Sequence, residues 1–198
     1  MNFLLQHFHV IAGVTAGIIT FVGYCIYIYA MFKSNTTPNR AGWFILVIAG
    51  IILAASYYET GARDTIWVPL GYILGPLIVS ILAIKRGEGG FSAFDKKCLS
   101  ATATSVLFWW LFSSPTIAFI INLIIDWFGI LPTIKKAYER PMSESKLAWS
   151  FFFLSTIVNF FAVENWSLDH WQIIIYPISM FIGTGSIALL VLFKKQTL

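Results

Sequence analysis

Asp126 lies deep in one of the most apolar stretches of the chain, FIINLIIDWFGIL over residues 119–131. Asn122 precedes it by one helical turn, and Trp127 follows it directly. An acid at mid-membrane depth costs about 2.5–3.5 kcal/mol on insertion scales and normally faces a bundle interior or a water-filled cavity. Burial away from basic side chains favours the neutral, proton-carrying form. We therefore expect Asp126 to carry a proton or to contact a cation; the alternative is an acid that only hydrogen-bonds a neighbouring helix.

Single polar or aromatic side chains on other apolar segments extend this candidate site. Asn159 is the other strongly polar residue inside such a segment, and Tyr27 and Tyr72 would complete a polar and aromatic lining. A tyrosine in a membrane helix more often packs or anchors at the interface than binds a ligand, so each one is weak evidence by itself. The predicted substrate-binding set is Asp126, Asn122, Asn159, Tyr27, Tyr72 and Trp127.

Prolines inside apolar segments remove backbone hydrogen bonds, and the resulting kinks suit moving parts. We predict hinges at Pro69, Pro132 and Pro177. Small residues spaced by four, Gly71 with Gly75, indicate close helix packing and not a ligand contact.

Motifs of enzymes, metal sites and cofactor sites are missing from the sequence. It has no H-E-x-x-H, G-x-S-x-G or Walker pattern, and its two cysteines, Cys25 and Cys98, form no disulfide framework. Acidic residues and histidines between apolar segments match no metal-ligand spacing, so a solvated loop face is the default. We expect no enzymatic activity, no metal and no cofactor.

Composition indicates a membrane protein. Of 198 residues, 58% are apolar and 11% are charged, against about 25% charged in soluble domains. The charge of +4 comes with no aromatic-interleaved basic face, so the sequence predicts no nucleic-acid partner. The apolar runs predict an all-α protein with seven transmembrane helices, at 10–32, 41–58, 66–85, 97–113, 115–137, 146–163 and 171–193.

Basic residues predict the orientation of these helices. If the seven runs cross the membrane alternately, twelve of the thirteen Lys and Arg residues lie on one side, and only Arg63 lies on the other. The positive-inside rule then puts the N-terminus outside and the C-terminus in the cytoplasm of a multi-pass protein, which we assign to a plasma (inner) membrane.

The two halves of the chain show a faint internal repeat. A shift of 106 residues aligns Gly23 with Gly129 and Trp43 with Trp149, and shifts of 105 and 108 align further pairs. Three helices per copy with one inverting helix between them give a parallel repeat about the membrane normal. The predicted parts are a first three-helix bundle at 1–86, a connector with helix 4 at 87–113, and a second bundle at 114–198. The alternative is chance, because these residue types are common in membrane helices.

With seven helices as 3+1+3 and the stretch GILPTIKKAY over residues 129–138, the sequence resembles the PQ-loop/SWEET superfamily. Thr133 stands where the family's Gln follows its Pro, and Ile26 stands at the first-repeat equivalent of Pro132. The resemblance implies a transporter that moves a small polar solute, a sugar or another metabolite, by alternating access, with lipid and the solute as partners. A non-transporting receptor or scaffold of the same architecture is the alternative, and a homo-oligomer is compatible with either function.

Overall fold

The computed structural model describes residues 7–34, 36–59, 61, 63–90, 92–111 and 115–194. In these ranges the chain forms seven long helices and no β-strand, apart from a single bridge between Asn39 and Glu88. The helices are α1 (Phe8–Lys33), α2 (Arg40–Glu59), α3 (Trp67–Arg86), α4 (Ala93–Leu111), α5 (Pro115–Glu139), α6 (Lys146–Phe160) and α7 (Trp171–Phe193). The expected all-α class is confirmed. Two helices, α1 and α7, are long and apolar enough to cross a membrane.

Local hydrogen bonds explain where several helices begin. The Asn39 side chain accepts a hydrogen bond from the Gly42 backbone N–H (2.9 Å) at the start of α2, and Ser145 caps α6 by accepting from Ala148 (3.3 Å). Helix α4 begins at Ala93, four residues before the predicted apolar run, because Asp95 accepts hydrogen bonds from preceding backbone N–H groups and so fixes a polar first turn.

The helices pack in a regular pairwise pattern. Helix α1 lies against α6 and α3, and α2 lies against α5 and α3. Helix α7 packs on α6 and α5, while α4 packs on α5 and to a smaller extent on α2. Two of the largest fully buried side chains, Trp43 and Tyr27, pack together with Trp149 where α1, α2 and α6 meet.

Glycines allow the closest of these approaches. An added Cβ at Gly75 of α3 would fall within van der Waals distance of the Tyr24 ring of α1, and one at Gly183 of α7 would lie 2.9 Å from Ile130 of α5. A side chain at position 75 would collide with the Tyr24 ring, and one at position 183 would require the end of the Ile130 side chain to move. These glycines therefore let α3 approach α1 and let α7 approach α5.

The three predicted hinge prolines occupy different places in their helices. Pro132 and Pro177 lie inside α5 and α7, as does Pro76 inside α3. Pro69 is the third residue of α3, which continues directly from a 3₁₀ helix over Asp64–Ile66. Hinge motion itself stays a prediction.

Candidate functional site

Asp126 lines a small internal cavity where five helices meet. The cavity measures about 10 Å³, roughly the space for one water molecule. Its walls come from α1, α2, α5, α6 and α7. The lining residues are Tyr24, Trp43, Leu46, Asp126, Ile130, Trp149, Phe152 and Met180.

The Asp126 carboxyl is the one acidic group on this cavity wall. Its exposed fraction is 3%, and among the described residues it has no hydrogen-bonded or ion-paired partner. Asn122, one turn earlier on the same helix, is completely buried. The structure therefore brings together the two residues that the sequence singled out first, and it leaves the carboxyl of Asp126 facing a water-sized space.

Asn159 of α6 is buried, but it is not among the residues that line the cavity. Its side-chain oxygen has no hydrogen-bond partner among the described residues. A buried amide oxygen without a partner carries a desolvation cost, so Asn159 has spare acceptor capacity. Elsewhere on α6, the hydroxyl oxygen of Thr156 lies 3.4 Å from that of Thr184 in α7.

Trp127 is not among the residues that line the cavity, and the side chain of Tyr72 is outside the described part of the structure. The indole N–H of Trp127 donates a hydrogen bond to the Ser179 hydroxyl (2.7 Å), which ties α5 to α7. Tyr72 is a residue of α3. Trp127 thus makes a contact between helices, and a binding role for either residue stays a prediction.

Tyr27 lies in a different site from the one expected. It is completely buried and its hydroxyl donates a hydrogen bond to the Glu144 carboxylate (2.9 Å). Tyr24, one turn earlier, is the tyrosine of α1 that lines the cavity. Both side chains point into the bundle because helical residues three apart share a face, and apolar periodicity alone does not distinguish them.

Lys136 is the centre of an ion cluster with a buried core, which we define as Lys136, Glu144, Glu88 and Arg140 and call the buried ion cluster. The ammonium group of Lys136 lies 2.5 Å from the Glu144 carboxylate, and these two side chains are 4% and 0% exposed. Glu88 lies 3.8 Å from Lys136 and accepts a hydrogen bond from Arg140 (2.8 Å), and these two side chains are 24% and 56% exposed. The pair Lys136 and Glu144 is therefore the buried part of the cluster, where each charge requires its partner.

Further hydrogen bonds connect the buried ion cluster to both halves of the chain. Glu144 accepts from the indole N–H of Trp149 (2.8 Å) as well as from Tyr27, and Lys136 donates to the Thr37 carbonyl. The Thr37 backbone N–H also donates to the Ser143 carbonyl (3.0 Å). The loop after α1 and the loop after α3 are therefore held to α5 and to the loop that precedes α6.

This cluster was not predicted from the sequence. Lys136 and Arg140 were counted only as markers of orientation, and Glu144 falls in a short polar connection that reads as a solvated loop. The pairing depends on which loops meet in the fold. One available signal was that Lys136 is in the GILPTIKKAY stretch, where a basic residue follows a helix-interior proline.

The cavity and the buried ion cluster share their walls. Trp149 lines the cavity with its ring and donates its indole N–H to Glu144. The rings of Tyr27 and Trp43 lie 4.9 Å apart, and Trp43 also lines the cavity. The ion pair therefore contacts one tryptophan of the cavity wall directly and a second one through Tyr27. A comparison of the chain with protein-family models, with curated proteins and with solved structures finds no match.

Proposed function

We propose that this chain is a multi-pass membrane transporter of the PQ-loop/SWEET type, which moves a small polar solute by alternating access. The observation that carries the proposal is the buried carboxyl of Asp126, which lines a cavity between helices of the first bundle (α1–α3) and of the second bundle (α5–α7). At one end of the helices, the buried ion cluster joins the two bundles. In this proposal Asp126 contacts the solute or exchanges protons, and the ion cluster is the cytoplasmic gate in its closed form.

A lipid surrounding is supported by where polar and apolar side chains lie. Every one of the seven helices has large apolar side chains on the outside, while Thr20, Asn122 and Ser155 are buried. Water-soluble proteins rarely present apolar surface of this extent, whereas lipid-exposed helices require it. One exposed residue from each helix in turn is Phe21, Ile51, Leu74, Leu107, Ile124, Leu154 and Leu189.

A repeated three-helix unit is supported by the packing of the helices. Exchanging α1 with α5, α2 with α6 and α3 with α7 converts the α1–α6 contact into the α5–α2 contact. The same exchange converts α1–α3 into α5–α7, and α2–α3 into α6–α7; all of these contacts are present. Helix α4 has no counterpart in this exchange, as expected of a connector in a parallel 3+1+3 repeat.

The same exchange relates individual contacts at the cavity. An added Cβ at Gly23 would lie 2.7 Å from the Phe152 ring, and one at Gly129 would lie 2.9 Å from Leu46. Gly23 aligns with Gly129, and Leu46 aligns with Phe152, at the offset of 106 residues found in the sequence. The two contacts thus lie at equivalent positions under this alignment, which supports the proposed repeat over chance similarity.

Matching residues also form the cavity wall. Trp43 and Trp149, and likewise Leu46 and Phe152, are pairs at the same offset, and all four line the cavity. In the proposed repeat, a cavity lined by equivalent positions would lie between the two three-helix units. Asp126 breaks the symmetry, because its counterpart is Thr20, so the second unit supplies the charge.

The proposal is tested by measuring solute flux in proteoliposomes with a variant whose two bundles can be joined reversibly by a disulfide. Thr37 and Ser143 come from different units, and a 3.0 Å hydrogen bond joins their backbones. We therefore choose this pair for an engineered disulfide, which requires closely spaced backbones. Radiolabelled glucose, glycine and lysine are the probes, each measured separately against protein-free vesicles. The variant carries Thr37→Cys and Ser143→Cys, in a background with Cys25→Ser and Cys98→Ser.

We expect counterflow of at least one probe, its loss when the disulfide forms, and its recovery after reduction. The background without the two introduced cysteines is the matched control and should not respond to oxidant. Flux that persists in the oxidised variant would exclude the ion cluster as the gate. Absence of flux for every probe, with the protein correctly folded, would favour the receptor or scaffold.

A further inference from the structure

The cavity at Asp126 has an aromatic wall as well as a carboxyl group. The ring centroids of Tyr24 and Trp43 are 6.1 Å apart, those of Tyr24 and Phe152 are 4.8 Å apart, and those of Trp149 and Phe152 are 5.3 Å apart. The four rings come from α1, α2 and α6, and they form one continuous surface that lines the cavity. The carboxyl comes from α5.

We propose that the solute carries an ammonium group, which pairs with the Asp126 carboxylate and rests against these aromatic rings. This inference rests on the proposed transport function and names the chemical class of its solute. Aromatic rings attract organic cations through the negative face of the π-system. A bound cation would also give the buried Asp126 carboxylate the charged partner that stabilises it. An ammonium group is about as large as a water molecule, which is the size of the space beside Asp126.

The other residues on the wall disfavour competing ligands. Leu46, Ile130 and Met180 offer no oxygen atoms, whereas hard metal cations such as Mg²⁺ and Ca²⁺ require about six or more oxygen ligands. An anion would face a carboxyl group with no basic residue among those that line the cavity. A neutral sugar would need several hydrogen-bonding partners, and the polar groups on this wall are few. The lining therefore fits an organic cation better than a metal ion, an anion or a sugar.

Thermal unfolding of the purified full-length chain in detergent micelles tests this assignment with ethylammonium chloride as the probe. Sodium chloride at the same concentration controls for ionic strength and for a metal cation, and ethanol is the uncharged analogue. A ligand that binds only the folded state raises the midpoint with concentration. We expect ethylammonium to raise the midpoint and the two controls to leave it unchanged.

Variants identify the site of this stabilisation. Asp126→Asn should weaken ethylammonium binding at least about 30-fold because it removes the charge partner, and Phe152→Leu should weaken it about two- to thirty-fold because it removes one aromatic ring and keeps an apolar side chain. Asp169→Asn, which changes an exposed acid outside the cavity, should have no effect. Phe152→Leu keeps the test valid if Asp126→Asn fails to fold.

Four results would overturn the inference: no stabilisation by ethylammonium, equal stabilisation by sodium, equal stabilisation by ethanol, or an ethylammonium effect that survives both cavity variants. Failure here is separable from failure of the transport proposal. Counterflow of glucose without ethylammonium binding would leave a transporter of a different solute. Ethylammonium binding in a chain that shows no counterflow would leave an amine-binding protein that does not transport.

Discussion

Replacing Glu144 with Gln is expected to destabilise the closed end of the bundle by about 3–5 kcal/mol, the usual effect of removing one partner from a buried ion pair. The amide keeps the volume and one hydrogen-bond acceptor for Tyr27 or Trp149. It leaves the buried Lys136 ammonium with only Glu88, 3.8 Å away, as an anionic partner. Thermal unfolding of the purified variant measures the loss.

A matched control separates this effect from a general sensitivity to charge. Glu139 and Lys135 form an ion pair of 3.9 Å, but their side chains are 52% and 50% exposed, so Glu139→Gln should change stability by no more than about 0.5 kcal/mol. The double change Lys136→Met with Glu144→Gln should recover most of the loss, because no buried charge is left unpaired. Equal effects of Glu144→Gln and Glu139→Gln would contradict the structural role of the buried ion cluster.

Asp126→Asn is expected to abolish solute accumulation driven by a pH gradient, because an amide cannot take up or release the proton. The change is nearly isosteric and keeps a polar group able to hydrogen-bond, so a purely structural acid would tolerate it. Two measurements in proteoliposomes are compared: uptake against a pH gradient, and exchange without one. An unchanged pH-driven uptake in the variant would exclude Asp126 from proton coupling.

Exchange without a gradient then distinguishes two roles of the carboxyl. If Asp126 only carries the proton, exchange of the solute should remain close to that of the unmodified protein. If it pairs with an ammonium group of the solute, exchange should also fall strongly. Thr20→Val at the equivalent position in the first unit is the matched control, because the Thr20 hydroxyl bonds to its own helix at Ala16 (3.0 Å), and it should leave both fluxes intact.

The helices were predictable because their signal is local. Each of the seven predicted apolar runs corresponds to a long helix, since length and hydropathy are properties of neighbouring residues. The ends were less predictable. Helix α6 ends at Phe160, although the apolar run continues to residue 163, because 161 and 162 form a turn closed by hydrogen bonds from Phe161 to Val158 and from Ala162 to Asn159.

The candidate site was predictable only where a residue conflicts with its surroundings. Asp126 is an acid in a hydrocarbon-like stretch, and that conflict is visible in the sequence. The hydrogen bond between Tyr27 and Glu144 is not visible in the sequence, because Tyr27 precedes Glu144 by 117 positions and neither residue type conflicts with its neighbours in the sequence. Tyr27 and Tyr24 have the same residue type on the same face, so only the packing assigns one to the ion cluster and the other to the cavity.

The central claim is that the cavity opens to each side in turn, with the buried ion cluster as the cytoplasmic gate. Accessibility of a cysteine at Leu46, a buried residue on the cavity wall, tests it most directly. The background carries Cys25→Ser and Cys98→Ser, and a small impermeant thiosulfonate is applied to right-side-out or to inside-out vesicles. We predict reaction from both faces, with Glu144→Gln raising the rate from the cytoplasmic face and lowering it from the outer one. Reaction from neither face, or from a single face at a rate that Glu144→Gln does not change, would contradict the claim.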